Sequence, residues 1–195
     1  DDRTSRGLGD VYKRQFLTQF IIVGMLFTYG VLMTELEKEF GWSRTVLSSI
    51  GAAGWLAWGI FAIPGGYLND RLGPRIVLGV NGFIFGIGFI LFSKSSEIWH
   101  LFLIFIFFIG TGLSTHDIST LSTIAKWFES KRGLMTSIAK IGTAMGQMAM
   151  PPLIAFLIIG FGWRTATFYL GIAASVGLIL AASLMSAPNT SSEKL

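Results

Sequence analysis

The sequence predicts an all-α membrane protein of six transmembrane helices, arranged as two groups of three that cross the membrane in opposite senses. Of its 195 residues, 52% are hydrophobic and 13% are charged, which lies outside the usual composition of soluble domains. Long uncharged stretches separate the charges, and several approach the ~20 residues that a helix needs to cross a bilayer. A repeat within the chain predicts the two groups.

Six apolar segments follow one another along the chain, with connections of only a few residues. Lipid offers no water to unpaired backbone N–H and C=O groups, so each segment is predicted to form a helix and not a strand. The short connections make consecutive helices antiparallel. The predicted spans are 16–33, 45–68, 76–92, 98–125, 134–159 and 165–186.

The polar residues 1–15 precede the first span and do not fit the membrane pattern. The segment 10–15 resembles the translation of an adapter used to prepare sequencing libraries, so we interpret 1–15 as a non-native leader. A short basic cytoplasmic tail is the alternative. The transmembrane bundle is predicted to cover 16–188, and the residues 189–195 are predicted to begin a polar linker.

The second and fifth spans are related by an internal repeat with an offset of 88 residues. Three spans separate equivalent points, and this odd number means that the second unit crosses the membrane in the opposite sense. The chain is therefore predicted to contain a three-plus-three inverted repeat. The repeat pairs Phe40 with Phe128, Arg44 with Arg132, Ser49 with Ser137, Ile50 with Ile138, Gly54 with Gly142 and Pro64 with Pro152.

The connection between the second and third spans contains the most specific motif in the sequence. In this motif Gly66 allows close approach of helices and Gly73 can supply a turn of positive φ. The charges of Asp70, Arg71 and Arg75 lie at the membrane surface. The motif resembles the signature of the major facilitator superfamily, except that Pro74 replaces a basic residue. This resemblance implies that Asp70 and Arg71 hold the cytoplasmic side closed through contacts that break during transport. The motif residues are Gly66, Asp70, Arg71, Gly73 and Arg75.

Three further segments extend the resemblance: FGWSR at 40–44, WF at 127–128 followed by KRG at 131–133, and GWR at 162–164. Together they resemble the monocarboxylate porter and oxalate:formate antiporter branch of that family. The resemblance implies a fragment of a symporter or antiporter that moves a small organic anion, a monocarboxylate or dicarboxylate, by alternating access. Coupling would be to protons or to a counter-anion. The chain would be the amino-terminal six-helix half, and the carboxy-terminal half would be its missing partner.

Lysines and arginines in the connections give a weak signal for orientation. The connections after the second and fourth spans hold Arg71, Arg75, Lys126, Lys131 and Arg132, and the others hold Lys38, Arg44, Lys94 and Arg164. Because this excess is small, the family motif decides that the first set is cytoplasmic. Both chain ends are then inside, and we predict a multi-pass protein of the inner membrane of a prokaryote.

Three ionisable residues fall inside the predicted spans, where a charge is costly and is a functional candidate by default. They are His116, Asp117 and Lys140. Asp117 and Lys140 lie roughly 10–14 Å from the same surface, on successive antiparallel helices. We predict that they form an ion pair, or that Lys140 faces a central cavity and attracts a carboxylate substrate. The alternative is that Lys140 extends to the interface while Asp117 bonds to the basic connections.

Other polar residues are weaker candidates for the substrate or coupling site. His116 could titrate in a proton-coupled cycle, or it could be a hydrogen-bonded structural residue. Tyr29 and Gln147 are candidate polar groups of the cavity, and helix packing is the alternative interpretation of both.

Composition disfavours several other classes of function. The net charge of +4 comes from short connections with no basic stripe, so no nucleic-acid partner is predicted. The absence of cysteine and the presence of only two histidines predict no metal site, and no cofactor is predicted. A hydrolase using Ser114 and His116 would need a histidine on another helix, whereas His100 lies on the same span, so no catalytic residue and no enzyme is predicted.

One alternative remains open alongside the transporter fragment. The chain could be a complete six-helix membrane protein that acts as a dimerising half-transporter or as a non-transporting receptor. In either case membrane lipid surrounds the bundle.

Overall fold

Helices make up almost all of the described part of the chain. The computed structural model describes residues 2–120 and 132–183, and none of these residues lies in a strand. The helices are α1 (Asp2–Phe27), α2 (Tyr29–Phe40), α3 (Arg44–Leu72), α4 (Pro74–Phe92), α5 (which begins as Ile98–Leu103) and α6 (Arg132–Ser183). Helix α5 is π-helical at Ile104–Gly110 and α-helical again from Thr111.

Five helical stretches of the described residues are long and apolar enough to cross a membrane. They are Lys13–Phe40, Arg44–Leu72, Pro74–Phe92, Ile98–Thr120 and Gly133–Ser183. The first joins α1 and α2 across Thr28, whose hydroxyl donates to the carbonyl of Met25. For the described residues, the prediction of an all-helical chain with helices able to cross a membrane is confirmed.

Several helix ends lie beyond the predicted spans, because polar residues at the ends of an apolar stretch remain helical. Helix α1 begins at Asp2 and so runs through the segment interpreted as a leader, whose origin stays a prediction. The predicted ends of the fourth span at 125 and of the sixth at 186 lie outside the described residues. So do the linker at 189–195 and the WF segment at 127–128.

Local sequence explains where α2 and α3 meet. Gly41 ends α2 with a φ of 68°, and its N–H donates to the carbonyl of Glu37. Glycine adopts this left-handed conformation without the steric penalty that a Cβ brings. Ser43 then caps α3, since its hydroxyl accepts from the N–H of Val46 at 3.4 Å.

Helix α6 contains a break that none of the other long helices shows. Gly162 has φ 76° and ψ 157° inside the helix, which separates residues 132–161 from 163–183. The helix runs through Pro151 and Pro152 without ending. At 1.5 Å per residue, 52 helical residues would measure ~78 Å if straight, more than twice the ~30 Å hydrocarbon core.

Contacts at glycines fix the relative directions of the two parts of α6. The first part runs parallel to α1, and the second part runs antiparallel to α4. The contacts with α1 pair Phe16 with Gly142, Phe20 with Gly146 and Gly24 with Met150. The contacts with α4 pair Gly79 with Ala182, Gly82 with Leu178 and Gly86 with Gly171. Small residues at these points allow the close helix approach that packing in lipid requires.

The same reasoning orients α5. Helix α5 is parallel to α3 and antiparallel to α4. The contacts with α3 pair Gly54 with Phe105 and Gly65 with Thr115, and those with α4 pair Gly88 with Phe108 and Gly112 with Phe85. The apolar core lies where α2, α4 and α5 meet, and there the ring of Phe105 lies 4.5 Å from that of Tyr29 and 5.9 Å from that of Phe92.

Candidate functional site

A charged cluster within the bundle is centred on the carboxylate of Asp117. Its Oδ1 accepts from Nζ of Lys140 at 2.5 Å and from Nε2 of Gln19 at 2.9 Å. The structure thus brings together α5, the first part of α6 and α1 through one oxygen atom. The side chains of Asp117 and Lys140 are 32% and 40% exposed, so a solute that enters the bundle can reach both.

Gln19 organises this cluster from a fully buried position on α1. Its Nε2 also lies 3.3 Å from the hydroxyl of Thr120, and its Oε1 accepts from the hydroxyl of Thr143 at 2.9 Å. The amide therefore uses both its donor and its acceptor to link three helices. Because Thr143 lies three residues after Lys140, the same turn of α6 supplies the ammonium and the hydroxyl.

His116 has the contacts of a hydrogen-bonded structural residue. Its Nδ1 donates to the carbonyl of Leu113 at 2.6 Å, and its ring packs 5.7 Å from that of Trp58. Its Nε2 lies 3.6 Å from Oδ1 of Asp117. The side chain is almost completely buried, at 3% exposure, so it contacts the cluster from the protein side.

The other two cavity candidates differ in their contacts. The hydroxyl of Tyr29 donates to the carbonyl of Leu47 at 2.7 Å and so ties α2 to α3. Gln147 is half-buried on α6, and within the described residues its side chain forms no hydrogen bond.

The motif between α3 and α4 lies at the opposite end of these helices from Tyr29. Gly73 has φ 83°, so the predicted turn of positive φ is confirmed. A Cβ at Gly66 would lie 3.8 Å from Cδ1 of Ile118, which places α3 close to α5 there.

The charges of this motif point away from the bundle. Asp70, Arg71 and Arg75 are exposed. The guanidinium of Arg71 lies 4.5 Å over the ring of Tyr67. Within the part of the chain that the structure describes, Asp70 forms no hydrogen bond or ion pair.

A cavity of about 230 Å³ lies between α1, α2, α3 and α5. It is predominantly apolar, and its wall includes the π-helical turn of α5. Residues that line it include Leu26, Gly30, Trp55, Phe105, Ile109 and Leu113.

A second polar cluster joins the ends of α2, α4 and the second part of α6. The guanidinium of Arg164 donates to the carboxylate of Glu39 at 2.8 Å. It also donates to the carbonyls of Ser93 and Ser95 at 3.1 and 2.9 Å. Glu39 further accepts from the indole N–H of Trp163. The ring of Phe40 also lies 6.5 Å from that of Trp163, so the FGWSR and GWR segments meet in space although they lie more than 100 residues apart.

Three residues of the central cluster, Gln19, Thr120 and Thr143, were missed by reasoning from the sequence. Gln19 interrupts an apolar stretch with a buried amide, and a polar residue at that depth is a signal of the same kind as Asp117. Thr120 and Thr143 carry no such signal, because threonine is common at helix contacts in lipid.

Comparison with known families shows which family the chain matches, and the match covers nearly its whole length. The family model described as Major Facilitator Superfamily matches residues 15–195. The chain is 18% identical to the structure titled "Inward open conformation of the xylose transporter XylE from E. coli", with a TM-score of 0.74 over 91% of this chain and 48% of that one. At this identity the likeness shows the fold alone.

Relatives of known name cover most of this chain. It is 28% identical over 171 residues to Monocarboxylate transporter 13 of Rattus norvegicus, covering 87% of this chain and 40% of that protein. It is 27% identical to Monocarboxylate transporter 14 of Mus musculus, covering 87% and 33% respectively. It is 30% identical to the Probable L-galactonate transporter of Escherichia coli K12, covering 78% and 33%. The chain thus spans well under half the length of these relatives.

Proposed function

Because this chain belongs to the major facilitator superfamily, a family of transporters and not of enzymes, we propose that it is the amino-terminal half of a secondary active transporter. Its substrate in this proposal is a small organic anion, a monocarboxylate or dicarboxylate, moved by alternating access. Relatives named monocarboxylate and galactonate transporters support an organic anion as the substrate class. Coupling to protons or to a counter-anion belongs to the same proposal.

The proposed topology has six spans in a three-plus-three inverted repeat. The break at Gly162 and the opposite directions of the two parts of α6 support two crossings by that helix. The motif between α3 and α4 then lies on the cytoplasmic side, together with both chain ends. We place the protein in the inner membrane of a prokaryote, although the relatives come from mammals as well as from a bacterium.

Lys140 is the proposed binding group for the substrate anion, with Asp117 as its partner. The observation that carries this proposal is the contact of both charges, which Gln19 joins to a third helix inside the bundle. An anion that approaches Lys140 would compete with Asp117 for the ammonium, so binding would loosen the contact between α5 and α6. His116, Tyr29 and Gln147 are proposed to shape this site and not to bind the anion directly.

The motif residues Gly66, Asp70, Arg71, Gly73 and Arg75 form the proposed cytoplasmic gate. In this proposal their exposed charges bind the carboxy-terminal half. This is supported by Asp70, which has no ion pair within the described residues of this half. Contacts of this kind hold one side of a transporter closed and separate when it opens.

Uptake by the protein made from its complete reading frame tests this function. In proteoliposomes we expect the protein to take up radiolabelled pyruvate or succinate, and Lys140→Gln to abolish uptake. Lys94→Gln, at an exposed connection, is the control and should leave uptake unchanged. Absence of uptake for every carboxylate, or wild-type uptake by Lys140→Gln, would contradict the proposal. A reading frame that ends at Leu195 would favour the dimerising half-transporter or the receptor instead.

A further inference from the structure

Two breaks in the transmembrane helices lie at related positions of the sequence repeat. The first separates α1 from α2 at Thr28. The second lies in α5 at Thr115, where φ is −115° and ψ is −7°. The two breaks are 87 residues apart, close to the repeat offset of 88. Each therefore interrupts the first helix of its proposed repeat unit.

The side-chain contacts at the two breaks match at the full offset of 88 residues. The hydroxyl of Thr28 donates to the carbonyl of Met25 at 2.6 Å. In the second unit Nδ1 of His116 donates to the carbonyl of Leu113, also at 2.6 Å. Ser49 makes a similar bond to the carbonyl three residues before it within an unbroken helix, so such a bond does not by itself break a helix. The two units are alike because the bond and the break occur together in both.

The residue after each of these donors joins its helix to the second helix of the same unit. The hydroxyl of Tyr29 donates to the carbonyl of Leu47 on α3 at 2.7 Å. The carboxylate of Asp117 accepts from Lys140 on α6. Tyr29 and Asp117 are again 88 residues apart, so Tyr29 is the counterpart of Asp117 in the first unit.

The two contacts lie toward opposite surfaces of the proposed bundle. Leu47 lies three residues, ~5 Å, from the start of α3 at Arg44. Asp117 lies 19 residues, ~28 Å, from the start of its span at Ile98. In the proposed topology both helix starts face outward. The contact of Tyr29 is therefore near the outer surface, and that of Asp117 is nearer to the inner one.

The bond of Tyr29 to Leu47 lies at the outer end of the apolar cavity. Gly51 and Trp55 line the cavity on α3, and Leu47 precedes Gly51 by one helical turn toward the outer surface. A Cβ at Gly51 would lie 3.3 Å from the ring of Tyr29, so this ring packs directly against α3. The ring and its hydroxyl thus close the cavity between α2 and α3 at this end.

This bond can open without leaving a buried polar group unpaired. If the hydroxyl leaves, the carbonyl of Leu47 keeps the helical bond from the N–H of Gly51. Tyr29 itself lines the cavity, so water that enters can replace Leu47 as the partner of its hydroxyl. Arg44 and Glu37 also join α2 to α3, but their ion pair is exposed and screened by water.

We infer that the hydroxyl of Tyr29 forms a releasable contact that closes the outer end of the cavity, and that Thr28 is the positioning residue that directs Tyr29 toward α3. Thr28 and Tyr29 then do on the outer side what His116 and Asp117 do on the inner side. This inference rests on the proposed function, because it assumes a cavity that opens to each side in turn.

External labelling of a cysteine inside the cavity tests this inference. Ile109 lines the cavity and is 1% exposed, so a cysteine there should react only when the cavity opens. The full-length protein carries Ile109→Cys as its single cysteine, and intact cells are treated with a small, impermeant methanethiosulfonate. Loss of one neutral hydrogen bond in Tyr29→Phe should raise the rate of external labelling about fivefold.

Thr28 is tested in the same assay. Thr28→Val keeps the size of the side chain but loses its hydroxyl, so it should raise labelling about as much as Tyr29→Phe. Thr28→Ser keeps the hydroxyl and should label at the rate of the parent. If Thr28 acts through Tyr29, the double variant Thr28→Val/Tyr29→Phe should label no faster than either single variant.

Two controls separate this role from a general loss of stability. Phe85 is fully buried on α4, so Phe85→Leu leaves a cavity in the core and should lower the melting temperature without raising external labelling. Tyr169→Phe removes the hydroxyl of an exposed tyrosine on the second part of α6 and should change neither quantity.

Equal external labelling of the parent and Tyr29→Phe, including no labelling of either, would overturn the inference. Additive effects of Thr28→Val and Tyr29→Phe would also overturn it, as would an equal rise in Phe85→Leu. In each of these cases, uptake of a carboxylate by the unmodified protein would leave the proposed function standing. Absence of uptake would contradict the proposed function, and the inference with it.

Discussion

Gly73 and Gly162 adopt the same rare backbone conformation, with φ and ψ of 83° and 157° in one and 76° and 157° in the other. Each separates two helical stretches by a single residue, and an arginine follows two positions later in both cases. The two glycines lie 89 residues apart, close to the offset of 88 in the sequence repeat. The connections of the two proposed repeat units are therefore built alike.

Alanine at either glycine is expected to destabilise the protein. This region of φ and ψ is essentially restricted to glycine, so Gly73→Ala and Gly162→Ala should each lower the free energy of unfolding by about 1–3 kcal/mol. Thermal unfolding in detergent measures the loss. Gly160→Ala is the control, because Gly160 has an ordinary φ and free space, and it should not be destabilised. Equal melting temperatures for all three variants would count against the shared turn.

Single cysteines test the six-span topology, and the chain has no native cysteine to interfere. We expect Arg75→Cys to react with an impermeant maleimide only from the cytoplasmic side. Lys94→Cys and Gly160→Cys should react only from outside, because one helical segment lies between positions 75 and 94 and three lie between positions 75 and 160. Labelling of positions 75 and 160 from the same side would rule out the inverted repeat.

Arg164 is expected to hold three helix ends together. Arg164→Ala removes the donor from two buried carbonyls and from Glu39, with a loss of about 1–3 kcal/mol in the free energy of unfolding. Arg164→Lys should recover only part of this loss, because an ammonium cannot reproduce the fork of the guanidinium. Arg44→Ala is the control. The side chain of Arg44, which pairs with Glu37, is 72% exposed, and ion pairs screened by water contribute only about 0–1 kcal/mol to the free energy of unfolding. Equal losses for Arg164→Ala and Arg44→Ala would contradict this role.

Gln19 is expected to be more important for stability than the amide of Gln147. Gln19→Leu leaves the hydroxyl of Thr143 and one side of Asp117 without a buried partner, at a cost of about 1–3 kcal/mol. Gln147→Leu, measured in the same thermal assay, should cost little, since no hydrogen bond of its side chain is lost within the described residues. If the two variants melt at the same temperature, Gln19 does not organise the cluster.

Part of this architecture could be predicted from the sequence, because lipid imposes simple rules. Uncharged stretches of sufficient length located the helices, and the rise per residue placed Asp117 and Lys140 at one depth. Gly73 was recognisable because it lies in the short connection between two apolar stretches, where glycine can adopt positive φ without a steric penalty.

The rest depends on helix rotation, which an apolar stretch does not determine. A helix that is hydrophobic on all sides gives no signal for the face it turns inward. For this reason the contact of Gln19 with Asp117, 98 residues away, was not predictable. The contact of Glu39 with Arg164 joins residues 125 positions apart, and neither carries a signal of its partner.

Transport by the double variant Asp117→Asn/Lys140→Gln tests the central claim most directly. Each single change leaves a half-buried charge without its partner and should lower stability, whereas the double variant removes both charges and should melt near the wild type. If Lys140 binds the substrate anion, the double variant will fold and yet show only background uptake of labelled carboxylate in proteoliposomes. Wild-type uptake by that stable variant would mean that the pair only supports the fold.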